Sequence, residues 1–351
     1  MSIPPAEDLA SARGFSVGVV LQAVDQPDTF GEIVAEVERL GYDYLWLTDS
    51  SLHARDCYAY LTLAAARSRR LLIGTAVTNP ATRHPAITAA AAATVDEVSG
   101  GRMLLGIGTG DRPLLALGFR PSSLADLEAA IAGMRGLWRA ETVDLQAPGF
   151  RLNGAHLRFP ARQEIPVYVS ASGPKTLELA GRVADGVILL VGLFPEALDW
   201  AIGHVQRGAD LSGRPRPHVA VFAYGAIDED EDAALEAARS IAAWFPQTAP
   251  HICDLAGLPR ELADRVRAGY SGGEFQEAAS AARLLPDRFV GQVALSGNRR
   301  HAAQQVRNVL AAGADSVHVF PLGARRLDTI RAFTDSWTDV AGQPPGRKVP
   351  S

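Results

Sequence analysis

Residues 171–175 read ASGPK and combine residue types that could bind an anion. The segment follows an apolar run and precedes an amphipathic stretch, so it sits where a strand would pass into a helix. Pro174 suits the first position of that helix, and the free backbone N–H groups of a first helical turn bind phosphate-like anions. Lys175 adds one of only two lysines in the chain. An ordinary strand-to-helix turn has the same pattern. The segment is therefore a candidate phosphate site, and the pattern alone does not distinguish it from such a turn.

Residues 106–113, GIGTGDRP, form a second candidate segment. Its glycines would let a flat or phosphorylated ligand approach the backbone closely. No Gly-Lys-Ser/Thr follows, so this is not a Walker loop. Asp111 could act as an acid or base, but an unperturbed Asp has a pKa of ~3.9 and would need burial or a neighbouring charge to act as an acid. The alternative is that Asp111 caps the next turn or pairs with Arg112.

Asp49 ends the apolar run YLWLTD and could hold a cofactor group, or could cap the next turn through backbone N–H groups. His53 follows in the same loop, but neither HxxxH nor HxH spacing surrounds it, so we predict no metal site. His218 and His318 lie within strand-like patterns with no nearby partner. No Gly-x-Ser-x-Gly elbow exists, which argues against an esterase-like nucleophile. Cys57 lies in a helical stretch and is interpreted as a packed residue.

Eight apolar runs, each followed by a helical pattern, would position these residues. The runs are nearly continuous rather than alternating, as is typical of parallel strands covered on both faces. We therefore predict a single (β/α)8 TIM barrel. A doubly wound open sheet is the alternative, but the first turn, QAVDQPDTF, lacks a Rossmann glycine pattern. The runs are Ser16–Gln22, Tyr44–Asp49, Leu71–Thr78, Met103–Gly110, Pro166–Ala171, Gly186–Val191, Val219–Ile227 and Ser316–Phe320.

A barrel of this kind carries its active site at the C-terminal ends of its strands, where the segments above would all lie. Two predicted insertions exceed ordinary loop lengths. Residues 141–165 contain a predicted hairpin centred on Asn153-Gly154. Residues 246–297 precede the last strand and would cover the barrel mouth. We expect residues 14–340 to form the barrel, residues 1–13 an N-terminal extension and residues 341–351 a flexible tail.

Composition excludes several functional classes. The net charge is −5, from 34 basic and 39 acidic side chains without a basic run, so no nucleic-acid partner is predicted. Two cysteines, Cys57 and Cys253, exclude a disulfide framework. No uncharged run approaches the ~20 residues of a membrane span, and the N-terminus lacks the cationic start of a signal peptide. These features predict a cytoplasmic protein that does not bind membranes.

The block from Ile73 to Asp111, together with ASGPKTLELAGRVADGVI, resembles the luciferase-like flavin and deazaflavin oxidoreductase superfamily. Within it, the likeness is closest to the methylenetetrahydromethanopterin reductase-like branch, which uses coenzyme F420. The resemblance runs from about Phe15 to Trp337, and residues 246–297 match least. It implies a luciferase-like barrel, a small-molecule substrate and a homodimer.

The resemblance also implies where the cofactor binds. Family members hold the ring over the barrel mouth, against a bulge after the third strand that contains a non-prolyl cis peptide, here Ala76–Val77, followed by Thr78. Asp49 matches a cofactor-contacting acid at the end of the second strand. The cofactor chain would contact Thr109 and Gly110, and its phosphate would lie against Ala171, Ser172, Gly173 and Pro174.

Asp111 matches an acidic position implicated in proton transfer in several deazaflavin enzymes. Many such enzymes follow the acid of strand two with a catalytic histidine, whereas this chain has Ser50 there and His53 three positions later. The resemblance therefore implies Asp111, with Ser50 or His53, as the candidate catalytic residues.

Three functions follow from this comparison. The first is F420-dependent hydride transfer. The second is oxygenation by FMNH2 that a separate flavin or deazaflavin reductase supplies, and the absent histidine keeps it open. The third is a non-catalytic flavin-binding barrel, which the intact phosphate turn and mouth acids disfavour.

Overall fold

Eight parallel strands close into a barrel in the computed structural model, which describes residues 13–111, 114, 116–270 and 278–341. All eight predicted runs supply a barrel strand, which confirms the TIM barrel and makes the open-sheet alternative wrong. The strands are β1 (Ser16–Leu21), β2 (Tyr44–Leu47), β3 (Leu72–Thr75), β4 (Met103–Ile107), β5 (Val143–Gln146), β6 (Arg151–Ala155), β7 (Val167–Ala171), β8 (Gly186–Leu189), β9 (His218–Gly225) and β10 (Ser316–Pro321). Around the barrel the order is β1-β10-β9-β8-β7-β4-β3-β2, while β5 and β6 pair in a separate hairpin.

Helices follow the barrel strands, and several begin at a proline, whose fixed φ suits the first helical position. Four of the prolines are Pro27, Pro85, Pro174 and Pro195. The helices are α1 (Pro27–Arg39), α2 (Cys57–Arg67), α3 (Pro85–Ser99), α4 (Leu124–Trp138), α5 (Pro174–Val183), α6 (Pro195–Ser212), α7 (Glu231–Ala242), α8 (Trp244–Thr248), α9 (Pro250–Leu255), α10 (Arg260–Gly269), α11 (Ala279–Ala282), α12 (Asp287–Val293), α13 (Arg299–Ala311) and α14 (Arg326–Ala341).

The hairpin of β5 and β6 does not turn at Asn153-Gly154, so that prediction was wrong. Residues 147–150 make the turn, and Asn153 and Gly154 lie within β6. The Ala147 N–H donates to Phe150 O across the turn. The carboxylate of Asp126, at the start of α4, accepts the Gly149 N–H at 2.7 Å. This contact with a helix outside the hairpin fixes the turn, and it overrides the local Asn-Gly signal.

The predicted insertion at 246–297 contains helices α8 to α12 where it is described, and residues 271–277 of it lie outside the described residues. Most of the predicted N-terminal extension (1–12) and nearly all of the predicted tail (342–351) lie outside them too. Within the described ranges, no helix is long and apolar enough to cross a membrane. Cys57 and Cys253 are both buried, free thiols.

A hydrogen-bonded chain crosses the barrel interior and corrects the expectation that His218 and His318 have no nearby partner. The Trp46 Nε1–H donates to His318 Nδ1 at 3.0 Å. Ser316 Oγ lies 2.7 Å from His318 Nε2 and 2.8 Å from His218 Nε2. Burial lowers the pKa of both imidazoles, so both are neutral at pH 7. The hydrogen bonds between these side chains join β2, β9 and β10 within the barrel.

Two glycines set how closely α5 approaches α6. A Cβ at Gly181 would collide with the backbone carbonyl of Val205, and a Cβ at Gly208 would collide with that of Glu178. Only glycine allows these two helices to touch through their backbones. Because α5 begins at the predicted phosphate turn, this contact helps to fix the position of that turn.

Gly208→Ala should lower the free energy of unfolding by about 1–3 kcal/mol, because the methyl group forces the α5 and α6 backbones apart. Gly203→Ala is the matched control, since Gly203 lies on the same helix with open space around its Cβ. That variant should gain up to about 1 kcal/mol from helix propensity. Urea denaturation measures both effects, and equal changes in the two variants would contradict the close-contact explanation.

Candidate active site

A cavity of about 740 Å³ opens at the C-terminal ends of the barrel strands. This volume falls within the ~300–1,000 Å³ that is usual for small-molecule sites. Its lining includes apolar side chains of the barrel core: Val20, Ile188, Phe222 and Phe320. Helices α7, α8 and α11 also contribute residues, Ile241 and Trp244 among them. The cavity therefore has an apolar floor that can receive a flat ring, and helices that partly cover it.

The bulge after β3 lies in the cavity wall. The Ala76–Val77 peptide bond is cis, as the resemblance implied, and both residues line the cavity. Thr78 does not line it: its side chain is wholly buried behind the wall. A Cβ at Gly106 would collide with the carbonyl of Thr75, and one at Gly108 would lie 3.1 Å from Val77 Cγ2. Gly106 in β4 and Gly108 just after it thus make room for the bulge, and Gly108 also lines the cavity.

Asp49 lies in the wall beside this bulge, with its side chain 6% exposed. Thr78 Oγ1–H donates to Asp49 Oδ2 at 2.8 Å, and Arg83 Nη2 lies 3.9 Å from Asp49 Oδ1. Burial raises the pKa of Asp49, although Thr78 and Arg83 act in the opposite direction. Thr48 Oγ1, in the same wall, is buried with no hydrogen-bond partner among the described residues. A buried hydroxyl of this kind indicates a polar partner that a ligand or water would supply.

The three candidate catalytic residues, Asp111, Ser50 and His53, all line this one cavity. Gly110 has φ +88° and turns the chain after β4, so that Thr109 and Gly110 lie in the wall and Asp111 is exposed at the rim. The Asp111 carbonyl accepts the Leu114 N–H, while the predicted partner Arg112 lies outside the described residues. The structure thus brings the ends of β2 and β4 to the same cavity.

The predicted phosphate turn lies at the end of β7. Ala171 and Ser172 line the cavity, Gly173 is the N-cap of α5 and Pro174 is its first residue. Gly173 has extended backbone and open space where a Cβ would be, and no described side chain caps this helix. The first turn of α5 is therefore accessible to an anion beside the cavity.

Sequence reasoning missed several residues of the site. Arg83 lies within the block that carries the resemblance, but no single-residue signal marked it. His251 of α9 contacts Ser172 O through Nε2 at 2.7 Å and so joins the insertion to the phosphate turn. Arg326 lines the cavity and donates to Asp25 at 2.9 Å. Tyr224 and Phe320 stack at a centroid distance of 4.2 Å and form an aromatic surface in the wall.

Comparison with known protein families identifies the family to which this barrel belongs. Residues 10–316 match the family model described as luciferase-like monooxygenase. The chain belongs to this family. The luciferase-like assignment made from residues 73–111 and 171–188 is thereby confirmed.

Curated relatives of this luciferase-like protein include a methanopterin reductase and a dehydrogenase that is named for coenzyme F420. The 5,10-methylenetetrahydromethanopterin reductase of Methanolobus tindarius is 30% identical over 300 residues, covering 84% of this chain and 90% of the relative. An F420-dependent glucose-6-phosphate dehydrogenase of Microbacterium testaceum is 31% identical over 225 residues, covering 60% and 66%.

Solved structures with the same luciferase-like fold come from both cofactor classes. The coenzyme F420-dependent tetrahydromethanopterin reductase of Methanopyrus kandleri superposes with a TM-score of 0.81 at 25% identity, covering 91% of this chain and 97% of that chain. An FMN complex of a type II Baeyer–Villiger monooxygenase from Pseudomonas putida superposes with a TM-score of 0.66 at 14% identity, covering 94% and 98%. At 14% identity, the similarity to the monooxygenase supports a shared fold only.

Proposed function

We propose that this protein is a coenzyme F420-dependent oxidoreductase that transfers a hydride between the deazaflavin and a small organic substrate at the barrel mouth. One observation carries the proposal: a single cavity combines an apolar floor with two carboxyl groups and extends to Ser172, one residue before the N-cap of α5, a helix that no described side chain caps. The relative named as an F420-dependent dehydrogenase and the solved coenzyme F420-dependent reductase, which covers 91% of this chain, support the choice of coenzyme.

The residues present fit this coenzyme. Its ring would lie on the apolar floor against Ala76 and Val77, and its polar edge would meet Asp49 and the unpartnered hydroxyl of Thr48. Thr109 and Gly110 would contact its chain, and its phosphate would lie at Ala171, Ser172, Gly173 and Pro174. When bound, the reduced coenzyme supplies a hydride.

The chain's own residues would orient the substrate, exclude water and move a proton. Asp111, Ser50 and His53 stand at the rim, where a group of the substrate that gains or loses a proton would lie. Ile241 and Trp244, from α7 and α8, would cover the substrate and keep water from the reacting carbon.

A second candidate function is FMNH2-dependent oxygenation, with a separate reductase that supplies the reduced flavin. Ser50 favours it, because many deazaflavin members have a histidine at this position, and the fold is shared with an FMN-dependent monooxygenase. A non-catalytic flavin-binding barrel has less support, since the phosphate turn and both acids of the cavity are present.

We also propose that the protein is cytoplasmic and forms a homodimer.

An anaerobic turnover assay distinguishes these functions. The purified protein is mixed with reduced F420 and a panel of aldehydes, ketones and imines, or with oxidised F420 and secondary alcohols, and deazaflavin absorbance is followed. We expect at least one substrate class to change the coenzyme's redox state without oxygen. No turnover with F420 across the panel, together with an oxygenated product that forms from FMNH2 in a separate aerobic assay only when the protein is present, would support the monooxygenase instead.

A further inference from the structure

The environment of Asp49 distinguishes it from the other acid of the cavity, Asp111. Asp111 is exposed at the rim, whereas the Asp49 side chain is only 6% exposed. Thr78 Oγ1 donates to one Asp49 oxygen at 2.8 Å, and Thr78 itself is wholly buried. Asp49 nevertheless lines the cavity, so its carboxyl group can meet a bound ligand while bulk water barely reaches it.

The cation nearest to Asp49 is shared with another acid. Arg83 Nη2 lies 3.0 Å from Asp56 Oδ2 but 3.9 Å from Asp49 Oδ1. Its guanidinium also lies over the ring of Tyr58, 4.8 Å from the centroid. Asp56 caps α2 through the Ala59 N–H, so this acid is itself held in place. Asp56 therefore draws the guanidinium away from Asp49 and leaves that carboxyl only partly neutralised.

Burial is the largest influence on the protonation of Asp49. It raises the pKa of Asp49, Asp56 raises it further, and Thr78 and Arg83 lower it without reversing the shift. Cys57 and Tyr58, at the start of α2, also face Asp49, and burial keeps both of them neutral by raising their pKa values. The other titratable groups among the described residues that line the same cavity are His53, Asp111, Tyr224 and Arg326.

We propose that Asp49 is a proton-transferring residue of this site, and that Arg83, shared with Asp56, is a positioning residue that sets how readily Asp49 gives up its proton. The inference rests on the proposed function and deepens it. Sequence reasoning assigned Asp49 to cofactor contact and left Ser50, His53 and Asp111 as the catalytic candidates. A buried carboxyl group one residue before Ser50 can do the work for which Ser50 itself is poorly suited, because an alcohol is a weak acid and base.

The proton balance of the reaction gives Asp49 a definite task. Reduction of a C=X group to H–C–X–H adds one hydride to carbon and one proton to X, where X is oxygen or nitrogen. The hydride is what the reduced coenzyme supplies, and the proton leaves the Asp49 carboxyl group. Asp49 is then a carboxylate, which regains its proton from bulk water by way of Asp111 at the open rim. In the oxidation direction Asp49 accepts the proton from X–H.

Carbon-13 NMR of the protein without coenzyme tests the protonation part of the proposal. Protein labelled at the aspartate carboxyl carbon is titrated with acid and base, and the Asp49 signal is the one absent in Asp49→Asn. Asp28, whose side chain is 99% exposed, is assigned in the same way and serves as the reference. We expect the Asp49 midpoint to lie above that of Asp28, because burial disfavours the charged carboxylate. A midpoint equal to or below that of Asp28 would overturn the proposal.

Two variants test the role of Arg83. Arg83→Gln removes the cation and should raise the Asp49 midpoint, whereas Asp56→Asn releases the guanidinium toward Asp49 and should lower it. Arg325→Gln is the control, because Arg325 is 69% exposed and pairs with Asp228 and Asp328 instead. Unchanged midpoints in both test variants would overturn the assignment of Arg83.

Kinetics with a substrate found in the anaerobic assay tests the transfer itself. Asp49→Asn should lower turnover about 10²-fold or more while the F420 dissociation constant changes less than about threefold. The pH midpoint of turnover should move down in Asp56→Asn. Equal losses of turnover and affinity would leave Asp49 with coenzyme contact alone, without proton transfer, and overturn the inference. Failure of the wild type to bind F420 would instead overturn the proposed function, which the NMR titration does not involve.

Discussion

The Gly173→Asp variant should bind coenzyme F420 about a hundredfold more weakly than the wild type, or worse, while folding equally well. Two negative charges about 5 Å apart in a partly buried site repel by roughly 3 kcal/mol, which corresponds to about a hundredfold in affinity. Gly173 is the N-cap of α5, and its Cβ would enter open space. Asp is a preferred N-cap residue, so the substitution should stabilise the helix. A loss of binding would therefore not result from unfolding.

Two control variants separate charge from size at this position. Gly173→Ala places a methyl group in open space on extended backbone and should bind within about threefold of the wild type. Gly173→Asn has the shape and capping ability of Asp without its charge, so the difference between Asn and Asp isolates the electrostatic repulsion. Fluorescence titration gives the three affinities. If Gly173→Asp binds F420 as tightly as Gly173→Asn does, the phosphate does not lie at this turn.

The Asp111→Asn variant should lose about 10²-fold or more in turnover, while F420 affinity stays within about threefold of the wild type. Asp111 is exposed at the cavity rim, so its carboxylate can exchange protons with bulk water as well as with the site. An amide of the same shape cannot carry a proton. Steady-state turnover and F420 titration on the same preparation separate the two effects.

Asp28→Asn is the matched control for this experiment, because Asp28 is fully exposed on α1 and does not line the cavity. It should match the wild type in both measurements. If Asp111→Asn lowers affinity as much as it lowers turnover, Asp111 binds the coenzyme and does not relay protons between water and Asp49. Turnover in deuterium oxide offers a further check. A wild-type enzyme whose rate is limited by proton transfer turns over more slowly in deuterium oxide than in ordinary water.

The fold could be predicted from the sequence because each of its elements has a local signal. The barrel strands are largely buried on both faces and read as nearly continuous apolar runs, such as residues 16–21 or 44–47. Eight such runs that alternate with helices leave few arrangements other than a closed parallel barrel. The phosphate turn was also predictable, since proline at the first helical position is a local signal.

The contacts that tune the site could not be predicted in this way. His318 and Trp46 are 272 positions apart, and His251 is 79 positions from Ser172. Whether such side chains meet depends on the register of distant strands and on the docking of the insertion, and no local pattern encodes either. The chain also carries an Asn-Gly signal whose expected turn is displaced by the contact between Asp126 and Gly149. Tertiary contacts decided each of these cases.

Calorimetric titration of the purified protein with F420, FMN and reduced FMN tests the central claim most directly. We predict tight, stoichiometric binding of F420 and much weaker binding of both forms of FMN, with the F420 affinity lost in Gly173→Asp. A preference for reduced FMN would contradict the claim and support a two-component monooxygenase. Binding of none of the three by folded protein would contradict both cofactor assignments.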